Sequence, residues 1–584
     1  MLNVWSVKRL LSKVIFLWGF VCVFLIPIFC HLLFFTPQVF ADNQFVIVGV
    51  NDSAVKENIS VYLESLKKNK SVDDYQIQRL VKEATRAFGF YHTFTLVSQT
   101  KPQHFSVNVQ LGPRMTIQSA KIEIKGEAAT NKSFKKAIKK SSIRPNKPLD
   151  HGAYESLKSS LTGLALKEGY FDAKIEKSEL LVDPKANVSD ITLIFDSGKR
   201  YYFGETHFQG SQINVKKLYT VIPYKMGEPY LAKDIGLLNQ RLANTGWYSS
   251  VYAGANTDKS ENYQVPVNVL LVPAVKNKME TGIGYTTNHG PRLKLKWRKP
   301  WINSAGHSFN MQTEISQYEP TVQFAYKMPL KDILDDYYQF NGAVRYVDTH
   351  DTLATDMWAG AERHWRLGKW DQALFIKWLY EDYRQGSFES GVSNLGLVGL
   401  KYSHAYFSPG AVPKNAQKSF VSIGYTDTAL GANDSLWQFK LRQGWIRTLA
   451  KKHRAVLKLD AEGNVTDKLT TVPPAMRYFI GGDNSIRGYR YQSVSPVDTT
   501  GKQVGGQYMA TASAEYQYKL VGNWWGALFY DYGSSWVNTP VWVRGIGGGI
   551  RWASPVGSIR LDVGWGLDRE GAPFEIHFSL GPEL

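Results

Sequence analysis

Ala510-Thr511-Ala512-Ser513-Ala514-Glu515-Tyr516-Gln517-Tyr518 alternates apolar and polar residues without a break. A period of two puts each apolar side chain on one face of an extended strand and each polar one on the other. Leu293, Leu295 and Trp297 alternate in the same way with Arg292, Lys294, Lys296 and Arg298, and Phe574, Ile576, Phe578 and Leu580 with Glu575, His577 and Ser579. From about Lys278 onward helical periodicity is absent, and turn residues divide Met279 to Leu584 into 16 strand-length segments. No stretch beyond residue 41 approaches the ~18 consecutive apolar residues of a membrane helix. Strands that are apolar on one face and polar on the other suit an antiparallel transmembrane β-barrel with a wet interior, and an even strand count is what bacterial barrels have. Hydrocarbon offers unpaired backbone groups no partner, so such a sheet must close or nearly close. A soluble propeller would show a blade-length repeat, and none is present.

Upstream of the barrel one short pattern occurs three times, as Phe88-Gly89-Phe90-Tyr91, Glu168-Gly169-Tyr170-Phe171 and Thr245-Gly246-Trp247-Tyr248. A helical pattern precedes each (Ile77 to Ala87, Tyr154 to Lys167, Asp234 to Asn244), and an alternating run such as Phe105 to Leu111 or Val265 to Leu271 follows. The spacing predicts a small β-α-α-β-β unit, opened by strands at Phe45–Val50, Ile117–Ile124 and Tyr202–Phe208. The glycine ends the second helix in a left-handed conformation, and the two aromatics begin the next strand. Domains are therefore expected at 42–113, 114–200 and 201–275, followed by a barrel over 278–584 with a loop inserted at 465–505.

Residues 1–41 read as a signal peptide. Lys8, Arg9 and Lys13 precede the apolar run Val14 to Phe35, and Val39-Phe40-Ala41 offers a small-x-small cleavage site. The run is also long enough to span a bilayer, which leaves an uncleaved anchor as the alternative. Both cysteines, Cys22 and Cys30, lie within it, so no disulfide framework is expected after cleavage. Phe29 before Cys30 argues against a lipoprotein signal. The net charge of +18 raises nucleic acid as a partner. The basic residues are dispersed, however, with one cluster at Lys135, Lys136, Lys139 and Lys140, which reads as a solvated helix face or a contact for acidic headgroups or a partner.

Arg477-Tyr-Phe-Ile-Gly-Gly-Asp-Asn-Ser-Ile-Arg-Gly-Tyr-Arg-Tyr491 lies in the long connection between the expected barrel strands 11 and 12. Connections beyond ~12–15 residues are usually functional or disordered. Arg487-Gly488-Tyr489 pairs a permanent cation with a residue that permits close backbone approach. In Phe529-Tyr530-Asp531-Tyr532-Gly533, within strand 13, Asp531 shares the parity of Phe529 and Gly533. If the loop folds into the lumen, Arg487 can meet Asp531 on the inner wall; a plain surface loop is the alternative.

Ile486-Arg487-Gly488-Tyr489, with Phe529-x-Asp531-x-Gly533 two strands on, resembles the BamA/TamA superfamily of outer-membrane assembly proteins. Gly282-Ile-Gly-Tyr-Thr-Thr, Trp297-Arg-Lys-Pro-Trp, Tyr326-Lys-Met-Pro-Leu and Leu580-Gly-Pro-Glu-Leu584 resemble its TamA branch. The resemblance implies three periplasmic polypeptide-transport-associated (POTRA) domains and a loop whose Arg487 contacts Asp531. It also implies a weak seam between the first and last barrel strands, around Gly282 and Gly284 on one side and Phe574 and Phe578 on the other. The implied partners are a TamB-like inner-membrane-anchored protein on the POTRA domains, client outer-membrane proteins such as autotransporters, and outer-membrane lipids. The implied role is client insertion through that seam, with phospholipid movement to the outer membrane beside it. The ending in Leu584 departs from the aromatic residue that closes most outer-membrane barrels.

No catalytic, metal or cofactor site is expected. Gly-x-Ser-x-Gly and metal-spaced histidines are missing, and Gly545-Ile-Gly-Gly-Gly-Ile lacks the Gly-Lys-Ser/Thr of a phosphate loop. A passive channel or a two-partner-secretion-type transporter is the alternative reading.

Overall fold

The computed structural model describes residues 42–581 apart from 70, 288–289, 350, 411 and 555–556. The expected signal peptide and the last three residues lie outside the described residues. The chain divides after Tyr201 into two compact units.

The first unit contains two three-stranded sheets. In one, β1 (Gln44–Val48) pairs in parallel with β3 (His104–Gln110), which pairs antiparallel with β2 (Phe94–Lys101). Helices α1 (Ser53–Glu64) and α2 (Asp74–Arg86) lie between β1 and β2 in the chain. Asp73 and Gln76 close a reciprocal capping box at the start of α2, satisfying two otherwise unpaired backbone donors. The second sheet repeats the order with β4 (Thr116–Lys125), β6 (Val188–Asp196) and β5 (Lys174–Asp183). Its helices are α3 (Lys132–Lys140) and α4 (His151–Glu168). On α4 the side chains Tyr154, Leu157, Leu161 and Ala165 recur every three or four residues and are buried, which is the apolar stripe that fixes a helix to a sheet. Gly169 ends α4 with φ 81°. Phe134 of α3 is buried, while Lys135, Lys136, Lys139 and Lys140 are all exposed.

The second unit holds a third sheet of β7 (Tyr202–Gln209), β9 (Gln264–Pro273) and β8 (Tyr248–Ala255), with the short α5 (Val215–Leu218) and α6 (Ala232–Asn244). Phe203 and Tyr224 stack at 3.7 Å in its core. In one respect the three repeats differ from expectation. Only Tyr248 starts a strand directly. In the first two repeats the chain needs two residues after the aromatics before it rejoins the sheet, at Phe94 and Lys174. Tyr170 is nonetheless buried in the core between α4 and its sheet.

The rest of the unit is a 16-stranded antiparallel sheet in which each strand pairs with its sequence neighbours. Alternation decides which side chain faces where. In barrel strand 7 (Trp370–Gln385), Leu374, Ile376 and Trp378 are exposed, whereas Phe375 and Leu379 are buried. Strand length varies around the wall. Strands 6 (Thr352–Leu367), 7 and 8 (Glu389–Phe407) have 16, 16 and 19 residues, but the first (Lys278–Thr286) and last (Phe574–Gly581) have 9 and 8. A tilted strand needs ~9–11 residues to cross the hydrocarbon, so the wall is low from the first strand through the next three, which have 10, 9 and 9 residues, and at the last strand beside them.

Candidate functional site in the lumen and at the seam

The connection from Thr466 to Gln507 runs between barrel strands 11 (His453–Val465) and 12 (Tyr508–Lys519) and packs against the inner wall. Ile480, Ile486 and Tyr489 form a small buried cluster with Val543 of strand 14 (Val543–Ser554). Arg487 is only 6% exposed. Its backbone N–H and Nε both donate to Asp531 Oδ2, at 3.0 and 2.8 Å, and Nη2 donates to Asp531 Oδ1 at 3.0 Å. Its Cζ lies 3.4 Å from the centre of the Phe529 ring. The loop motif and the strand motif singled out in the sequence are thus in direct contact.

The cation has more partners than the sequence disclosed. Arg487 Nη1 also reaches Glu515 Oε2 at 2.7 Å and Asp562 Oδ2 at 3.3 Å. Arg551 joins the same two acids, donating to Glu515 at 2.8 Å and to Asp562 at 2.5 Å. Two guanidinium groups and three carboxylates therefore form one buried network across strands 12 to 15. Parity alone could have flagged Glu515, which stands on the polar face of the stretch quoted at the outset. Nothing local marks Arg551 or Asp562.

The glycines rejected as a phosphate loop turn out to have a packing role. A Cβ on Gly545 would overlap the Arg487 carbonyl oxygen, and one on Gly564 would stand 2.8 Å from the Gly488 nitrogen. Gly488 itself has φ 90° and lies against the backbone of Trp565. Bare backbone on strands 14 and 15 lets the loop approach closely. Gly533 likewise borders Ile486, whose Cδ1 would be 3.0 Å from an added Cβ. Further along the loop, Arg477 donates to Glu389 at 2.7 Å and Tyr491 to Glu319 at 3.0 Å, two anchors the sequence reading missed.

The first and last strands end the sheet order rather than pairing as a ladder. Among the described residues, the backbone hydrogen bond between them is Thr287 N–H to the Phe578 carbonyl at 3.3 Å. Tyr285 and Phe578 add a ring contact at 6.1 Å. Gly282 and Gly284 pair with Lys294 and Arg292 of strand 2 (Gly290–Lys299), and no atom lies within 4 Å of a Cβ built on Gly282. Phe574 pairs with Trp565 of strand 15 (Gly557–Gly566) and is 59% exposed.

One loop residue touches both edges. Asp483 Oδ1 accepts from Thr287 Oγ1 at 3.0 Å and lies 2.7 Å from His577 Nδ1. Gly488 N–H donates to His577 Nε2 at 2.9 Å, so the neutral ring carries its proton on Nδ1 and donates to Asp483. The loop therefore bridges the seam that the wall itself barely closes. Among the described residues there is no group of three or more His, Cys, Asp or Glu placed to hold a metal.

Comparison with known proteins agrees with this geometry. Residues 407–583 match the Omp85 superfamily domain. A stretch of 124 residues, 19% of this chain and 16% of the relative, is 35% identical to the outer membrane protein assembly factor BamA of Nitratidesulfovibrio vulgaris (strain Hildenborough). The match thus spans under a fifth of that relative's length. The crystal structure of BamA from Haemophilus ducreyi lacking POTRA domains 1–3 superposes with a TM-score of 0.66 at 16% identity, covering 80% of this chain and 99% of that one. CdiB from Escherichia coli gives a TM-score of 0.44 at 12% identity, with 91% and 99% coverage. Residues 407–583 thus carry an Omp85 superfamily domain, and the chain has the fold of an outer-membrane β-barrel preceded by small α/β domains.

Proposed function

We propose that the protein is a TamA-type assembly and translocation factor that inserts client β-barrel proteins, such as autotransporters, into the outer membrane by opening the seam between its first and last barrel strands. The seam carries this reading. An edge that shares one backbone hydrogen bond with its neighbour among the described residues has pairing capacity left along its length, which templates an added strand. A client strand pairs with that edge and moves sideways into lipid, where the low wall thins the membrane and eases entry. The buried network around Arg487 keeps the loop seated while the seam works. The POTRA-like domains receive a TamB-like inner-membrane-anchored partner, and phospholipid transport accompanies assembly. The step needs no nucleotide and no catalytic group.

The test uses cysteines at Tyr285 and Phe578, since residues 42–581 contain no native cysteine. Client assembly is measured in the oxidised and reduced states. Block on oxidation and recovery on reduction support lateral opening. Normal assembly with the seam locked would discard it in favour of action through the POTRA-like domains or the lumen.

A further inference from the structure

On the wall away from the Arg487 network, the lumen contains a chamber of mixed chemistry. Two cavities of about 300 and 290 Å³ adjoin there, both lined by Trp358, Lys377, Leu397, Gln438 and Lys440. One runs beneath the loop turn at Ala475 and Met476, and the other reaches Phe375 and Lys401. An apolar cluster inside a barrel whose interior is otherwise polar is unexpected. Phe375, Leu379, Leu395, Leu397 and Leu436 are all under 9% exposed, closed over by Val472 and Met476 of the loop.

The cations that line these two cavities, Arg345, Lys377, Lys401, Lys440 and Arg442, outnumber the lining carboxylates, Asp356 and Glu362. Arg345 is held by Asp356 and, at 3.8 Å, by Glu319, Lys401 by Glu362 at 2.6 Å, and Arg442 by Glu462 at 2.6 Å. Lys440 shares Glu462 at 3.7 Å. Among the described residues no carboxylate stands within salt-bridge distance of Lys377, whose Nζ lies 5.0 Å over the Trp358 ring. Glu381, across the ladder from Asp356, accepts the Ala475 N–H at 2.8 Å and does not line either cavity.

We infer that this chamber binds a single-chain anionic amphiphile, its carboxylate or phosphate head at Lys377 and Lys440 and its chain along Trp358, Leu395 and Leu397. An unneutralised lysine takes the charge, and the leucine wall takes the apolar tail. A polypeptide strand fits less well, because its backbone groups would find few partners on that wall. The site lies away from the seam and stands or falls independently of lateral opening.

The experiment photolabels the purified full-length protein in non-ionic detergent with a diazirine-bearing palmitate, the matching alkyl phosphate and the matching alcohol. Cross-linked residues are then mapped by mass spectrometry. Labelling by palmitate, by the phosphate or by both on inward residues such as Trp358, Leu379 and Leu395, with the alcohol inactive, supports the site and identifies the head group. Lys377→Met is expected to lower that labelling at least about tenfold, the scale of losing a desolvated charge pair, while Lys377→Arg retains it. Retention of heat-modifiable migration on SDS gels shows that the variants are folded; the wild-type alcohol comparison needs no variant at all. Labels confined to outward Leu374, Ile376 and Trp378, or equal labelling by the alcohol, would overturn the proposal. So would undiminished labelling of folded Lys377→Met, or labelling displaced by an acidic peptide but not by unmodified palmitate, which would assign the chamber to polypeptide.

Discussion

At the residue scale, Arg487 shows why one side chain can hold a long loop in place. It is buried, always charged, and faces Asp531, Glu515 and Asp562 at once. Arg487→Ala leaves three carboxylates with one guanidinium, Arg551. Stranding a buried charge costs about 3–5 kcal/mol. The variant is expected to stay in the membrane, expose residues 466–507 to protease and slow client assembly. Wild-type protease resistance and assembly in that variant would refute the loop's proposed role. Arg487→Lys keeps the charge but loses the planar fork, and should recover only part of the resistance. Gly545→Ala tests the same docking without changing any charge. Its new Cβ overlaps the Arg487 carbonyl oxygen, so the loop must shift. Proteolysis like that of Arg487→Ala is expected, and an unaltered digestion pattern would mean the wall can yield.

Among the elements, the seam is held as much by the loop as by its two strands. Thr287 and His577 both bond to Asp483, while the strands share a single backbone hydrogen bond among the described residues. Asp483→Ala removes both side-chain bonds and leaves the strands themselves unchanged. Deuterium exchange at the Thr287 amide, the donor of that bond, should then quicken by roughly tenfold, the equivalent of losing about 1–2 kcal/mol of hydrogen bonding. Exchange at wild-type rates would show that the loop merely rests beside the seam. The short edge strands put the weakest pairing and a low wall in the same place, whereas the long strands 6 to 8 stand well clear of it.

On the scale of whole domains, each compact unit has its own internal joint. In the second unit Trp247 Nε1 donates to the Gly306 carbonyl at 3.1 Å, and Lys217 Nζ to that of Pro329 at 2.9 Å, tying the third α/β domain to turns of the barrel. Gly306 has φ 79°, and a Cβ there would overlap the Trp247 ring. Gly306→Ala should loosen this joint, seen as a broader distance distribution between spin labels at Lys233 and Lys331. An unchanged distribution would mean that other contacts fix the domain. In the first unit Tyr91 lies 3.0 Å from His151 Nε2, and the His151 N–H donates to the Ala87 carbonyl at 2.9 Å. Burial lowers the pKa of His151 below its ordinary 6.5, against the opposing pull of Asp150 and Glu155. A folded-state value depressed in this way favours the neutral ring, so its stabilisation is present above 6.5 and fades as pH falls below it. A protonated ring also cannot accept from Tyr91. The protection factor of the residue 151 amide, with the intrinsic pH dependence of exchange divided out, should therefore fall between pH 7.5 and 5.5 in the native protein but not in His151→Gln. An equal fall in both would dissociate the joint from this titration.

The barrel and the three α/β sheets were legible in the residues themselves, because a period of two, a period of 3.6 and a recurrent glycine are local signals. Arg487 and Asp531 could be named from motif and parity. Their contact required the loop to fold inward, which no local pattern dictates. Arg551, Asp562, Glu389 and the glycine-lined wall at Gly545 and Gly564 came to light only in the folded chain, since their meaning lies in what stands opposite on another strand. The same holds for Asp483 across the seam, for Trp247 against Gly306, and for the chamber around Lys377. The sequence by itself determined which face each side chain of a strand takes. Tertiary structure alone decided which inward faces meet, because barrel closure joins residues that lie hundreds of positions apart in the chain.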